Sequence, residues 1–293
     1  MATNVEKDPV SGQYTTGHEW DGIKELNTPL PKWWVYVFFA CIVWAIGYWV
    51  VYPSWPTFSG YWGGTFGWHS RTQVVADIDN ANKAKGVYLS KIQNASLEDI
   101  FKDKDLLNFA IAGGKAVFND TCAACHGVGG QGAYGFPALN DDQWLWGGSL
   151  DDIKTTIAYG VRNTNANSRQ SEMPAFGGGD VLNDAQLGDL AEYVLSLSKS
   201  GKDAAAAGRG KDIFANNGCV ACHGESGEGN QAMGAPALAS GIWLYKEKDQ
   251  KAAIISQVKA PKHGAMPAWS ERFDEATVKL LTVYVYSLGG AHK

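Results

Sequence analysis

Two short motifs repeat the order cysteine, cysteine, histidine. The residues are Cys122, Cys125 and His126 in the first motif, and Cys219, Cys222 and His223 in the second. Both fit C-x-x-C-H, the attachment signature of c-type haem. Two thiols three positions apart can each add to a vinyl group of one haem, and the next residue then lies beneath the iron as its proximal ligand. The motifs therefore predict two covalently bound haem c groups per chain.

Paired cysteines also occur in redox dithiols and in zinc sites. A redox C-x-x-C needs no following histidine and is expected in a βαβ context. A zinc site usually takes four ligands that lie close together, whereas Cys122 and Cys219 are 97 positions apart and each pair has its own histidine. Haem is the leading interpretation, with zinc and the dithiol kept as alternatives.

Methionine is the usual sixth ligand of iron in electron-transfer cytochromes c. Met173 and Met266 are each followed by Pro-Ala and an aromatic residue, so we expect them to be axial ligands. Met233 has no counterpart and is expected to fill a gap in the core. His263 is a rival ligand, but the equivalent position in the first repeat is Gln170, so His263 is expected at the surface. Solvated or interfacial positions are expected for His18, His69 and His292.

A carbonyl near each motif is expected to orient the proximal imidazole. Pro137 and Pro236 lie in Gly-x-Pro-Ala-Leu, 11 residues after His126 and 13 after His223. A carbonyl there can accept the free ring N–H of the histidine and fix its orientation. Matched apolar residues are expected to bury the porphyrins: Phe118, Phe214, Leu139, Leu238, Trp144 and Trp243.

The elements that position these residues belong to a repeat. Cys122 and Cys219 are 97 positions apart, Met173 and Met266 are 93 apart, and Tyr193 and Tyr284 are 91 apart. Helical spacing of apolar residues and capping residues predict four helices, and no segment shows a convincing strand alternation. These helices are expected over 106–118, from Ser149 to Val161, from Asp184 onwards and after Asp274.

An apolar segment precedes the repeat. Residues 33–52 contain no charge, and their length matches the roughly 20 residues that cross a bilayer as a helix. Aromatic residues lie towards both ends, as at membrane interfaces. A polar tail comes first and bulky residues follow, which disfavours a cleaved signal peptide. The net charge of −5 makes nucleic acid an unexpected partner and favours a mildly basic protein partner.

Residues 105–290 resemble class I cytochrome c domains in their motifs, their order and their paired methionines. The stretch 17–34, with Trp-Asp-Gly-Ile and Pro-Leu-Pro-Lys-Trp-Trp before a single apolar segment, is similar to the leader of the dihaem subunit of cbb3-type cytochrome c oxidases, the CcoP or FixP family. The family usually has Asn-Pro where this chain has Asn27-Thr28-Pro29. The resemblance implies an all-α protein with one N-terminal transmembrane helix followed by two tandem class I cytochrome c domains. The expected boundaries are a cytoplasmic tail over 1–32, a transmembrane helix over 33–53, a periplasmic linker over 54–104, and cytochrome domains over 105–198 and 207–293.

The resemblance also implies the function. The chain is expected to accept electrons from a soluble or membrane-attached cytochrome c. It would deliver them, with a monohaem cytochrome c subunit, to the haem–copper subunit that reduces oxygen. The implied location is the bacterial inner membrane, with the N-terminus cytoplasmic and the haem domains periplasmic, where haem is attached. The implied axial pairs are His126 with Met173 and His223 with Met266, and the sequence leaves open an exchange of the methionines between domains.

Other functions remain possible readings of the haem motifs. A cytochrome subunit of a membrane dehydrogenase or a free-standing membrane cytochrome would use the same two haems. A dihaem peroxidase or gas sensor would need an open iron, which paired methionine ligands disfavour. The chain alone is expected to have no substrate-converting site, so its part in catalysis is electron transfer within an oxidase complex.

Overall fold

The computed structural model describes residues 5–177 and 181–289. The chain divides into two compact units, residues 1–83 and 84–293, and each is described by itself. The elements of the first unit are β1 (Thr15–Trp20), β2 (Ile23–Leu26), α1 (Lys32–Val51), β3 (Pro56–Thr57), β4 (Gly60–Tyr61) and the start of α2 (Ser70–Asn94). The second unit holds α3 (Leu97–Lys102), α4 (Lys104–Thr121), α5 (Ala123–His126), α6 (Leu150–Tyr159), α7 (Asp184–Leu197), α8 (Ala204–Asn216), α9 (Cys219–His223), α10 (Gln250–Lys259) and α11 (Glu275–Ser287). Two 3₁₀ turns lie at Leu238–Ser240 and Trp269–Glu271.

The N-terminal tail forms a β-hairpin that the sequence reading missed. β1 and β2 pair antiparallel, with Trp20 opposite Ile23. Asp21 and Gly22 join the strands, and both have positive φ, of 51° and 86°. A two-residue Asp-Gly connection with both residues in the left-handed region matches the twist of a hairpin. Asp-Gly was therefore the available signal, although the strands lack a clear apolar alternation.

The apolar segment forms the expected membrane helix. α1 spans Lys32–Val51, one residue earlier at its start and one earlier at its end than the apolar stretch 33–52. None of its residues is buried within the protein, so it is not a core helix. Among the described residues, it is the one helix long and apolar enough to cross a membrane.

The region expected as a linker is largely helical. α2 runs for 25 residues from Ser70 to Asn94, and α3 follows it. α2 has a polar composition and buries only Ile92, so its sequence lacks the apolar stripe from which a helix is normally predicted.

The predicted helices of the repeat are confirmed, together with their caps. The Ser149 hydroxyl accepts the N–H of Asp152 at the start of α6, and Asp274 accepts the N–H of Thr277 at the start of α11. α7 begins with a full capping box between Asn183 and Gln186. α6 ends at Tyr159 rather than at Val161.

Helices of the two sequence repeats pack against each other across the repeat boundary, and the domain boundaries 105–198 and 207–293 stay a prediction. α11, from the second repeat, packs against α4 and α6 of the first repeat. α7, from the first repeat, packs against α8 and α10 of the second. One helical bundle thus combines α4, α5 and α6 with α11, and we call it fold A. The other combines α7 with α8, α9 and α10, and we call it fold B.

Fold B is continuous in the chain and is inserted into fold A between α6 and α11. The physical reason lies in the connection between α7 and α8, which begins at Ser198 and ends at Asp203. Such a short connection makes consecutive helices neighbours in space. α7 therefore pairs with α8 instead of returning to α4.

Glycines allow the exchanged helices to approach closely. A Cβ atom at Gly114 in α4 would collide with the carbonyl oxygen of Leu280 in α11. A Cβ atom at Gly210 in α8 would collide with the carbonyl oxygen of Asp189 in α7. Each fold therefore has one close helix crossing, and each crossing joins helices of different repeats.

Two candidate haem sites

The first site is a cavity in fold A that contains the first cysteine–histidine motif. Cys122 follows α4 directly, and α5 turns the chain so that Cys125 and His126 line the same cavity. Its walls include Phe118, Leu139, Trp144, Ile153, Ile157, Leu281 and Val285. These side chains are mostly apolar, so the cavity offers an apolar surface to a bound group.

The imidazole of His126 is held by the expected carbonyl. The Nδ1 atom of His126 lies 2.9 Å from the carbonyl oxygen of Pro137. Since a carbonyl oxygen can only accept a hydrogen bond, Nδ1 carries the proton. Nε2 is therefore unprotonated and keeps its lone pair. Burial lowers the pKa of His126, against the opposing effect of this hydrogen bond. The ring is therefore neutral at physiological pH, the state that ligates a metal.

The methionine that lines this cavity is Met266, not Met173. The N–H of Met266 donates to the carbonyl of Val161 at 2.8 Å, and its carbonyl accepts the N–H of Val161 at 3.0 Å. The side-chain amide of Asn163 donates to the same Met266 carbonyl at 2.7 Å. This pairing explains why α6 ends early, because Val161 belongs to a short ladder with the Met266 loop.

The second site lies in fold B. Met173 packs against the same cluster of buried residues as Cys219, Val220, Leu238 and Trp243. The cluster's core members include Phe214, Leu187, Leu190, Val194 and Ile254. The structure thus places Met173 against the cluster that also holds Cys219, and Met266 in the cavity that holds Cys122 and Cys125.

His223 repeats the arrangement of the first site. Its Nδ1 atom lies 3.0 Å from the carbonyl oxygen of Pro236, and burial lowers its pKa despite that hydrogen bond. Burial also raises the pKa of the Cys219 thiol, as it does for Cys122 at the first site. Both half-buried thiols are therefore protonated at neutral pH.

The residues present fit a haem. Two buried polar atoms in the wall of the first cavity, Trp144 Nε1 and Thr156 Oγ1, have no partner among the described residues. Buried polar groups are normally hydrogen-bonded, so these atoms point to a ligand with polar groups at its edge.

The two cysteine pairs pack against separate clusters, Cys122 in fold A and Cys219 in fold B, so they do not share one site.

The two folds contact each other at two equivalent places, and at each place an aromatic ring of one fold lies against a glycine of the other. Tyr245 of the second repeat lies against Gly135 of the first, where a Cβ atom would be 3.2 Å from the ring. Trp146, the counterpart of Tyr245, lies against Gly234, and a Cβ atom there would collide with its ring. Both glycines have positive φ, of 80° and 64°. The repeats are therefore related by a local two-fold symmetry at this contact.

Several residues near the sites were not found by sequence reasoning. Arg162 and Asn163 hold the methionine loops, but they lie in a stretch of the first repeat that has no full counterpart in the second. Met233, expected in the core, is exposed instead. His263 and His18 are exposed, the exposed ring of His69 lies 3.2 Å from the Tyr61 hydroxyl, and His292 lies outside the described residues.

Family models match three parts of the chain. Residues 12–59 match the N-terminal domain of cytochrome oxidase-cbb3, FixP. Residues 111–198 match cytochrome c, and residues 205–285 match cytochrome C oxidase, cbb3-type, subunit III.

Curated relatives are similar along their whole length. The cbb3-type cytochrome c oxidase subunit FixP of Bradyrhizobium diazoefficiens is 52% identical over 294 residues, which cover 99% of each chain. The subunit CcoP of Azospirillum brasilense is 50% identical over 292 residues, which cover 97% of this chain and 98% of the relative. FixP of Azorhizobium caulinodans is 50% identical over 284 residues, covering 97% and 95%.

Proposed function

The chain belongs to the CcoP and FixP family of cbb3-type cytochrome c oxidase subunits, a family of membrane-anchored electron-transfer subunits, and from that premise we propose how its residues carry electrons. Two haem c groups are bound per chain. Cys122 and Cys125 hold one group, and Cys219 and Cys222 hold the other. Each haem supplies an iron that changes charge by one electron between the ferric and ferrous states.

The axial pairs are His126 with Met266 and His223 with Met173. The observation that carries this proposal is the presence of Met266, rather than Met173, in the cavity that contains His126 and its cysteines. The packing of Met173 against the same cluster as Cys219 supports the reciprocal pair. Pro137 and Pro236 orient the two imidazoles through their carbonyls.

The protein's own contribution to electron transfer is to keep each site rigid and dry. The Nδ1–H of each proximal histidine is fixed by a backbone carbonyl, which sets ring orientation and increases the basicity of Nε2. Apolar walls exclude water, and methionine as the sixth ligand raises the reduction potential. Rigid six-coordinate sites exchange electrons with little rearrangement of ligands.

The complex and its orientation follow from the same premise. We place the haem folds in the periplasm and the N-terminal tail in the cytoplasm, because covalent haem attachment in such bacteria takes place in the periplasm. Electrons enter from a soluble or membrane-attached cytochrome c and leave through the monohaem subunit towards the haem–copper subunit. The net charge of −5 favours a donor with a basic surface.

A peroxidase function is disfavoured by the two methionines. Peroxide chemistry needs an open position on iron, and Met266 lines the first cavity while Met173 packs into the second cluster. The match of residues 12–59 to the N-terminal domain of FixP likewise favours the oxidase over a dehydrogenase subunit or a free-standing cytochrome.

The test uses the full chain, matured with haem and purified with its oxidase, or alone in detergent. Replacing Cys219 and Cys222 with serine leaves only the first haem attached, and the mass should then show one covalent haem instead of two. In that background Met266→Leu should abolish the methionine-to-iron charge-transfer band, and Met173→Leu should leave it. The converse is expected when Cys122 and Cys125 are replaced. The opposite dependence would overturn the exchanged pairs, and a wild-type mass without two haems would overturn the cofactor proposal.

A further inference from the structure

Arg162 lies between the two methionine loops and binds both of them. Its Nε atom donates to the carbonyl of Gly264 at 2.7 Å, and its Nη1 atom donates to the carbonyl of Ser171 at 3.0 Å. Gly264 stands two residues before Met266, and Ser171 stands two residues before Met173. The two carbonyls therefore occupy equivalent positions in the two repeats.

The chemistry of the side chain suits this position. A guanidinium presents its N–H donors in a rigid planar fork, so one group can serve two acceptors in fixed directions. The backbone of Arg162 is also restrained, because its N–H donates to the carbonyl of Arg169 at 2.9 Å. Its φ of +47° lies in the left-handed region, which is uncommon for a residue with a side chain. Such a backbone persists only where its surroundings hold it in place.

The two loops depend on Arg162 to different degrees. The Met266 loop has further hydrogen bonds, from the backbone of Val161 and from Asn163. In residues 171–175, the hydrogen bond from Arg162 to Ser171 is the only one within the described part of the chain. Fold A thus has several hydrogen bonds within two residues of its methionine. Fold B has the one from Arg162, and its next restraint is the N–H of Phe176, which donates to the carbonyl of Val258 at 3.0 Å.

We propose that Arg162 is a shared positioning residue that holds both axial methionine loops and so couples methionine ligation at the two haems. The proposal rests on the axial pairs given above. One guanidinium serves both loops. If its hydrogen bond to one loop is lost, the guanidinium can therefore move away from the other loop as well. The fold B site, with fewer restraints, should be affected more.

The experiment follows the methionine-to-iron band as the pH is raised, in the two single-haem forms of the chain and in the two-haem protein. The midpoint pH at which the band disappears measures how firmly each methionine is retained. In Arg162→Gln we expect the midpoint pH to fall at both sites. At the Met173 site the fall should be about one pH unit, which corresponds to a tenfold weaker retention of the methionine. Amide hydrogen exchange should also accelerate at Glu172, Met173 and Ala265.

Matched variants separate positioning from charge and from general destabilisation. Arg162→Lys keeps the positive charge but can reach only one carbonyl, so it should preserve the reduction potentials while the midpoint still falls at one site or both. Asn163→Ala should lower the midpoint only at the Met266 site. Arg209→Gln, which removes an exposed ion pair with Asp189, should change neither site.

Three outcomes would overturn the proposal: midpoints in Arg162→Gln equal to those in Arg209→Gln, an effect confined to one site, or full restoration by Arg162→Lys. If Arg162→Gln fails to accumulate, Arg162→Lys carries the test, and wild-type midpoints at both sites would then refute it. Absence of the band from the wild-type protein would instead refute the axial pairs.

Discussion

Phe118, from the helix before the first haem motif, packs edge-on against Tyr284 in α11, with ring centroids 5.2 Å apart. Phe214, before the second motif, packs against Tyr193 of α7 at 5.3 Å. Each aromatic pair joins one repeat to the other. The interior of each haem fold is therefore built by both repeats.

The helix crossing in fold B is expected to tolerate no side chain at Gly210. Gly210→Ala places a methyl group against the carbonyl of Asp189, so the helices must separate, and we expect a loss of about 1–3 kcal/mol in unfolding free energy. The matched control is Gly208→Ala on the same helix, which meets nothing within 4 Å. It should be neutral or stabilising by up to about 1 kcal/mol. Denaturant unfolding of the holoprotein measures both, and equal effects would contradict the close crossing.

The contact between the two folds is expected to depend on Gly234. Gly234→Ala adds left-handed strain and a collision with the Trp146 ring. Gly241→Ala has similar strain at a φ of 73°, but its Cβ atom would be 3.4 Å from Ser198, an ordinary contact. We expect Gly234→Ala to cost about 1–3 kcal/mol more than Gly241→Ala and to separate the thermal unfolding of the two folds. Calorimetry showing the same single transition in both variants would contradict this prediction.

A buried lysine joins α11 to the end of α2. The Nζ atom of Lys279 donates to the carbonyls of Gln93 and Ala95, both at 2.8 Å, and its side chain is 8% exposed. Lys279→Met keeps the apolar stem but leaves those carbonyls unpaired, so we expect a loss of about 1–3 kcal/mol. Protease cleavage near residue 95 should accelerate. Lys102→Met, which removes an exposed pair with Asp99, is the control and should leave cleavage unchanged.

The stability of fold B should depend on pH through Glu192. Its carboxylate accepts hydrogen bonds from Lys251 Nζ at 2.8 Å and from the N–H of Lys202 at 3.0 Å. Both lower the pKa of Glu192, and the bond from Lys251 has the larger effect. A folded-state pKa below the unfolded value contributes stability that is present at neutral pH and lost as the pH falls through the folded pKa.

Glu192→Gln should therefore reduce unfolding free energy by about 1–3 kcal/mol at pH 7, and the difference from wild type should shrink below a pH of about 4. Urea unfolding at a series of pH values measures the difference. A difference that stays constant down to acid pH would show that the ionised carboxylate is not the source. Glu225→Gln, at an exposed position, serves as the control.

The sequence predicted the local features of the sites well, because they depend on short-range chemistry. The carbonyls of Pro137 and Pro236 lie where the spacing from each histidine placed them, and Ser149 and Asp274 cap their helices as expected. These features join residues between three and 13 positions apart in the chain, where spacing restricts geometry.

The partner of each methionine could not be derived from those patterns. Met173 and Met266 have the same neighbours in sequence, so nothing local distinguishes the two pairings. The distinguishing signal was the short connection from Ser198 to Asp203, which makes α7 and α8 neighbours. Arg162 was missed because its role depends on two carbonyls brought together only by the folded chain.

The insertion of fold B into fold A has a consequence for biogenesis. A chain that emerges from its N-terminus exposes the Cys122 motif first, yet the last helix of that site ends at Ser287. α7, α8, α9 and α10 have all emerged by Lys259, so the second motif can complete its compact enclosure earlier. Fold B can thus close before fold A, in the reverse of the order in which the two motifs occur in the chain.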